Sequence, residues 1–500
     1  MSLDKFHEEP WKTSHRTYET SALAIAPAPE YASSEVLLSS LYRAVGFEGH
    51  SESSVPTRGR ELDRDVLAFR NKRERKTGAV LDADSLHMML HSALESPKLP
   101  NQSAKRFLQV TPLVPQVAVF SGSARLAGNP WPAGALVRRM IWLGARDAVE
   151  AAGVWEGLFE ALSVSADDDV FARFLQAELA TWAPEPQWAS SEPKPLPVLR
   201  HEDREGLSYP ARQFVTDLQA IVAAKTAMTR RQWTSLLEAI VRIGTVSHVL
   251  WLCDVHDNMW SMVRRSATGD CPADVSEVRT LLFGRRAGRL PYGDRALPLA
   301  KDRVSAFLQA RLGLNQVLWA LEAAGGLSGG LSTSEEVFQL CEAARDAAAR
   351  DGAEALLSGL SETRERENRT VLCRKGIGSN LLEFVRHALG QRQTANAALR
   401  GYDQGFVLRK KGAAASSPWI VSLGPVAVLA LVHCSLAKTS GPRSVRYLAQ
   451  HMSGYGIMID HQEIAESDLG HQLRMLGLVL DSPDAESGML LVPPFAEQAA

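Results

Sequence analysis

The sequence predicts a mainly α, multi-lobed helical chain that closes in a C-terminal winged helix-turn-helix with a small β-hairpin wing. Three observations lead there. Apolar residues recur at helical spacing through most of the chain. Pro- and Gly-rich segments interrupt that pattern at intervals. The last eighty or so residues run helix, helix, turn, helix, hairpin, the order of a winged helix.

Taking the elements in order, residues 1–57 read as a loosely ordered segment with one helix at SSEVLLSSLYRAVGF. Residues 58–182 form a helical region. It opens on a basic stretch, Arg58 to Lys76, where eight Lys or Arg stand against four acids with alternating signs, the pattern of a solvated helix. A helix follows over 82–95, then a Pro-, Val- and Gly-rich loop over 110–135 with a short strand at QVAVF, then helices from Ala135 to Trp182. Residues 183–206 are Pro-rich and charged, and are expected to run over the surface as a linker. The 207–330 region is strongly helical over 209–265, passes through a long basic loop over 266–300 and resumes as helix at 301–323. Region 331–412 holds helices at 333–350 and 379–400.

The final region, 413–500, is read in most detail. LGPVAVLALVHCSLA (Leu423 to Ala437) is an apolar helix, and SVRYLAQHM (Ser444 to Met452) is a second one after a Ser-Gly-Pro break. The glycine-bracketed turn Ser453–Gly456 leads to SDLGHQLRMLGLV, where Leu469, Leu473 and Leu476 make one stripe. Ser467 is placed to cap this third helix and Asp468 meets its positive dipole end. Val479 starts the hairpin, Met489 to Val492 complete it, and Pro493 and Pro494 stop it because proline cannot donate to a ladder.

Composition bounds the function. The chain has 500 residues, with apolar residues at 45% and charged residues at 22%, and a net charge of −2, which argues against a general nucleic-acid coat. Five cysteines at long spacings form neither a disulfide framework nor a zinc ribbon. The N-terminus is polar, without a signal core, and Leu423 to Ala437 is too short to span a bilayer. The expected location is the cytoplasm, with no membrane contact.

Chemistry is sparse. His248, Cys253, His256 and Asp257 lie close together in HVLWLCDVHDNMW, but one straight helix cannot wrap an ion, and the interleaved apolar residues indicate a core helix. His87, His91 and Glu95 share a helix face without the H-E-x-x-H order of a metalloprotease. There is no P-loop, and the serines of FSGSARLAG lack a nucleophile elbow. No catalytic residue, metal or cofactor is assigned.

Two basic stretches carry more. Arg279 to Arg303 has seven basic residues against two acids, including Arg285, Arg286 and Arg289 among glycines. Residues 362–411 have eleven against five, including Arg374, Lys375, Arg409, Lys410 and Lys411, and lead into the terminal region. Guanidinium forks match phosphate bidentately, so both stretches suit phosphate contact. The terminal region itself has four basic residues, with Arg443, Arg446 and Arg474 among them, against eight acids, and an acidic hairpin tip. Its histidines His433, His451, His461 and His471 add charge only at lower pH.

The leading expectation is a non-enzymatic DNA-associated scaffold or regulator, with Arg374, Lys375 and Arg409 to Lys411 on phosphates and His471 and Arg474 facing a groove. The alternative is a protein-docking subunit of a larger bacterial assembly, by analogy of layout with accessory proteins of phage-defence and mobile-element loci. Double-stranded DNA and protein are accordingly the two candidate partners. An exposed basic stripe continuous with Arg409 to Lys411 would favour DNA; an exposed apolar patch on the terminal region would favour protein.

Overall fold

The computed structural model describes residues 3–25, 34–47, 49, 78–94, 112–119, 133–183, 185–190, 195–205, 207–284, 288–390, 404–412, 414, 416–439, 441–481 and 489–495. The basic segment 58–76, the serines of FSGSARLAG, Glu95, Arg285, Arg286, residues 391–403 and the hairpin tip 482–488 lie outside this set, as do the side chains of His87 and His91.

One helix organises the molecule. Arg230–Ala267 runs 38 residues, and a capping box starts it: the Thr229 hydroxyl accepts from the Gln232 amide while the Gln232 side chain accepts from the Thr229 amide. Its most apolar 18-residue window has a mean hydropathy of 1.5, enough on composition to cross a membrane, yet 94% of that window is buried within the protein. A helix apolar on all sides is one with neighbours on all sides. The helices Ser34–Gly46, Pro210–Ala223, Ala296–Ala323, Ser334–Asp351 and Pro425–Leu436 surround it. Close approach is achieved with glycine: a Cβ on Gly313 would lie 2.5 Å from the Trp260 ring, and one on Gly244 2.5 Å from Phe214.

The helix carries buried polar groups. His248, Cys253 and His256 are buried, and His256 Nδ1 sits 2.8 Å from the Leu252 carbonyl one turn back. Among the described residues no group of three or more His, Cys, Asp or Glu could hold a metal ion. Burial, reinforced by the nearby Arg139 charge, depresses His248 to about 3, and burial depresses His256 to about 4. Both imidazoles therefore stay neutral in the folded chain while their unfolded counterparts titrate near 6.5. Unfolding takes up protons below that pH, so stability is full above about 6.5 and lost as pH falls toward 4. Each histidine contributes a slope of roughly 1.4 kcal/mol per pH unit across that window. Denaturant titrations at pH 7.5 and 5 should show the midpoint falling with pH; equal midpoints would contradict it.

A second, smaller apolar core lies apart. Leu86, Val114, Val117, Leu175, Leu179 and Trp182 form it, between Ala83–Leu94, Val170–Trp182 and the Pro115–Val119 turn. Arg230 ties the two cores together. Its buried guanidinium donates to Asp168 at 3.1 Å, to the Ser163 carbonyl at 3.0 Å, and to the Leu113 and Leu162 carbonyls.

Several elements differ from the sequence-based expectation. Gln116 to Val119 of QVAVF do not form a strand: Pro115–Val119 is a 3₁₀ turn with no pairing strand among the described residues, so local bonding satisfies its backbone. The 266–300 loop contains the helix Val275–Leu282, capped by the Asp274 carboxylate on the Glu277 amide. The N-terminal residues are not loosely ordered where described, because Phe6, Tyr18 and Leu23 insert into the main core. The Pro-rich 183–206 stretch is pinned as well, through Trp188 stacked at 5.0 Å on Phe159 and through buried Asp203, which accepts from the Ser334 amide.

Strands are short. Leu290–Pro291 (β1) pairs in parallel with Ile457–Met458 (β5), and Leu408–Lys410 (β2) pairs antiparallel with Trp419–Val421 (β3). Arg443–Ser444 (β4), Val479–Asp481 (β6) and Met489–Leu491 (β7) form a sheet in the order β4-β7-β6.

Candidate docking face of the C-terminal unit

The C-terminal unit comprises helices Pro425–Leu436, Arg446–Gly454 and Asp468–Met475 with the β4-β7-β6 sheet. The first helix starts with Pro425 at its N-terminus and has buried residues on most sides, in keeping with its uniformly apolar sequence. The second turns at Tyr455–Gly456, where Gly456 takes φ +76°, a region that favours glycine. Ser467 caps the third helix by accepting from the Gly470 amide, and Leu469 and Leu473 face the core. Leu476, the third member of the expected stripe, is instead exposed, because the helix ends at Met475 and Gly477 turns the chain with φ +68°.

The back of the unit is built into the body. Asp217, on the Pro210–Ala223 helix, is fully buried, and its carboxylate is met from three sides. Tyr455 donates to Oδ2 at 2.8 Å, His451 Nε2 stands 2.8 Å from the same oxygen, and Gln213 donates to Oδ1 at 2.9 Å. Burial, with Asp217 alongside, drives the Tyr455 hydroxyl well above its usual range, so it stays a donor. On the other flank, Arg289 and Leu290 amides donate to the Gly456 carbonyl. A Cβ on Gly288 would lie 2.1 Å from Met458, which shows how closely the chains pass.

The front of the unit is where the expected DNA contacts can be located. Arg474 donates to Asp481 Oδ1 at 3.2 Å and to the Ala465 carbonyl at 2.8 Å, joining the third helix to β6. Arg409 pairs with Asp468 at 3.1 Å at the start of that helix. The Arg443 guanidinium lies 6.0 Å over the Tyr447 ring. Arg446, His471 and Lys411 are exposed, and Lys410 is half-buried on β2. Arg374 and Lys375 are exposed just ahead of the Gly376–Ala388 helix.

One expected site residue is turned inward. Arg289 is largely buried against Asp254 at 3.1 Å, and Arg303 meets the other oxygen of the same carboxylate at 3.0 Å. A guanidinium in a buried ion pair is not free for phosphate, so Arg289 belongs to the packing of the central helix. Of the four histidines, two are also engaged inward: His451 on Asp217, and His433 near the Ala220 carbonyl at 3.2 Å and against Phe495.

Of the exposed apolar side chains, only Leu476 was singled out from sequence, and as a member of the inward-facing stripe. Met475 is 74% exposed, Leu480 54% and Leu476 38%. Tyr447 is exposed on the second helix of this unit, and Met458 is exposed on β5 just after it. Met489 and Leu491 face the core, so the alternation of β7 turns Leu490 outward, and its partner across the ladder is Leu480. Asp460, Glu463, Glu466 and Asp468 of the same region are exposed as well. Apolar positions displaced from the helix stripe, Met475 above all, were the signal that could have found this face.

A groove of about 490 Å³ lies elsewhere, between Ala148–Leu162 and Pro210–Ala223. Its walls include Gly153, Gly157, Leu218 and Val222, with Arg146 and Glu150 at the rim paired to each other. No nucleophile and base converge there. Comparison with known proteins gives no match: no family model, no curated protein and no solved structure corresponds to this chain.

Proposed function

We propose that the C-terminal unit is a winged helix used as a protein-docking platform, so that the chain acts as a non-enzymatic subunit of a larger assembly. The observation that carries this reading is the exposed surface of the third helix, where Met475 and Leu476 stand in solvent while Arg474 is ion-paired to Asp481. Duplex binding draws its affinity from Lys and Arg free to neutralise phosphate. Here Arg409 and Arg474 already have carboxylate partners, and over residues 416–481 the exposed acids Asp460, Glu463, Glu466, Asp468 and Asp481 outnumber the exposed bases Lys438, Arg446 and Arg474. Apolar side chains of this size in water mark a contact surface when they gather on one unit.

Charge complementarity defines the partner: a protein surface with an apolar centre and Lys or Arg at its margin. The anchoring of the unit through Asp217 supports the same role, since a face held rigid loses little entropy on binding.

The double variant Met475→Asp, Leu480→Asp tests it in the full chain. Both side chains are exposed, so stability should change by no more than roughly 0.5 kcal/mol. Association with the cognate partner should weaken by about 2 kcal/mol or more, as for a contact at the centre of an interface. Fluorescence anisotropy with a mixed-sequence duplex at about 50 and 200 mM salt should show no binding that falls steeply with salt. Tight, salt-steep duplex binding abolished by Arg374→Ala, Lys375→Ala and Lys411→Ala would instead establish the DNA reading.

A further inference from the structure

The groove between Ala148–Leu162 and Pro210–Ala223 lies apart from the C-terminal unit, and one of its walls carries an outward stripe. Val149, Gly153 and Gly157 stand four residues apart, on the side of their helix opposite the buried Ala151, Val154, Trp155 and Leu158. Val149 is 82% exposed, more than any other large apolar side chain among the described residues. A Cβ at Gly153 or Gly157 would meet nothing within 4 Å, so the stripe drops from a ridge at Val149 into open space. Leu218 and Val222 close the far side of that groove, which measures about 490 Å³. Glycine inside a helix costs stability relative to alanine, and nothing within the chain crowds these two. A backbone approaching from outside would require them. Charge is divided along the same stripe. Arg146 stands at its start, just ahead of the Asp147 cap, and the exposed Glu156 and Glu160 stand toward its end. Neither of those two glutamates pairs with a base among the described residues.

We propose that this face binds a second copy of the chain, the two Ala148–Leu162 helices lying antiparallel about a twofold axis at Gly153. The face is complementary to itself in that arrangement. Residues equidistant from Gly153 on either side meet across the axis. Val149 of each copy therefore enters the space over Gly157 of the other, and Arg146 lies opposite Glu160. Gly153 meets its own symmetry mate, where the absence of a side chain lets the two backbones approach closely. Glu156 comes opposite Glu150, and Arg146, which already holds Glu150 at 3.2 Å, is within reach of both carboxylates. A parallel pairing would instead set Arg146 against Arg146 and Val149 against Val149, leaving both recesses empty. Ridge, recess and charge thus select the antiparallel pair together, and each contact is made twice.

Sedimentation equilibrium of the full chain up to about 100 µM should fit a monomer–dimer equilibrium. Gly157→Leu, which fills the recess, and Val149→Asp, which removes the ridge, should each weaken dimerisation about tenfold or more. Neither position is packed within the chain, so neither variant should lower Tm appreciably. Cysteine cross-linking reads the pairing itself. With diamide as the oxidant, Gly153→Cys should give a covalent dimer, because its two thiols meet on the axis. Val149→Cys should not, since its thiols stand about 12 Å apart along the helices. The unsubstituted chain, four of whose five cysteines are buried, is the control. A chain that stays monomeric throughout, a dimer indifferent to both Gly157→Leu and Val149→Asp, or cross-linking at position 149 rather than 153 would overturn the proposal. The cross-link decides the pairing even where Val149→Asp disturbs folding.

Discussion

Asp217→Ala is expected to lower the free energy of unfolding by about 3–5 kcal/mol, the range for removing one partner of a buried charged network. The magnitude follows from what is left behind. Tyr455, His451 and Gln213 converge on that carboxylate within 2.9 Å, and all three would lose their acceptor inside the protein. Each stranded donor carries the cost of desolvation without a bond in return. The effect should also be local. Because His451 sits on the second helix of the C-terminal unit and Tyr455 caps its C-terminal end, hydrogen exchange should accelerate most over residues 446–458. Denaturant unfolding with exchange mass spectrometry checks both parts; a loss below about 1 kcal/mol, or exchange unchanged in that segment, would contradict the anchoring described here.

Asp254→Ala should be comparably severe, again about 3–5 kcal/mol, for a different reason. Its carboxylate is the shared acceptor for Arg289 and Arg303, at 3.1 and 3.0 Å, and both side chains are largely buried. Its removal sets two like charges side by side in the interior. Burial already works against the charge on Arg289, and Asp254 works to hold it. Replacing all three residues by apolar ones of similar volume should be much milder, since a buried ionic group is costly chiefly when left unpaired. Guanidinium titration of the single and triple variants separates the cases: the triple variant should recover most of the lost midpoint. If Asp254→Ala alone unfolds within about 1 kcal/mol of the parent, the triad does not hold the Arg289 loop.

The parts of this fold that could be read from sequence are those set by local rules. The third helix of the C-terminal unit starts at Asp468 as its Ser467 cap predicts, and the hairpin strands fall at Val479 and Met489. The central helix was legible from its apolar run. What escaped were features decided by distant partners. QVAVF has strand composition, but Gln116 to Val119 have no neighbouring strand among the described residues and coil into a turn. Leu408–Lys410 reads as part of a basic arm, yet it pairs with Trp419–Val421.

The same holds for the charged residues. Asp217 stands on an apolar stripe with Phe214, Leu218 and Ile221, a place where an acid signals a buried partner, but the partner lies more than 230 residues away. Arg289 looked identical to its loop neighbours in composition. Only the fold shows that it turns toward Asp254. Counting basic residues along a segment therefore overstated what that segment can offer a phosphate.

The measurement that bears most directly on the docking role is site-specific photo-crosslinking. A photoreactive amino acid would be placed at position 475 or 480 of the full chain, in cells that express the protein natively, with an exposed control position on Ser334–Asp351. Docking through the C-terminal unit predicts covalent adducts to one discrete polypeptide from positions 475 and 480 and none from the control. Adducts to nucleic acid at those two positions, or a polypeptide pattern no different from the control, would contradict it.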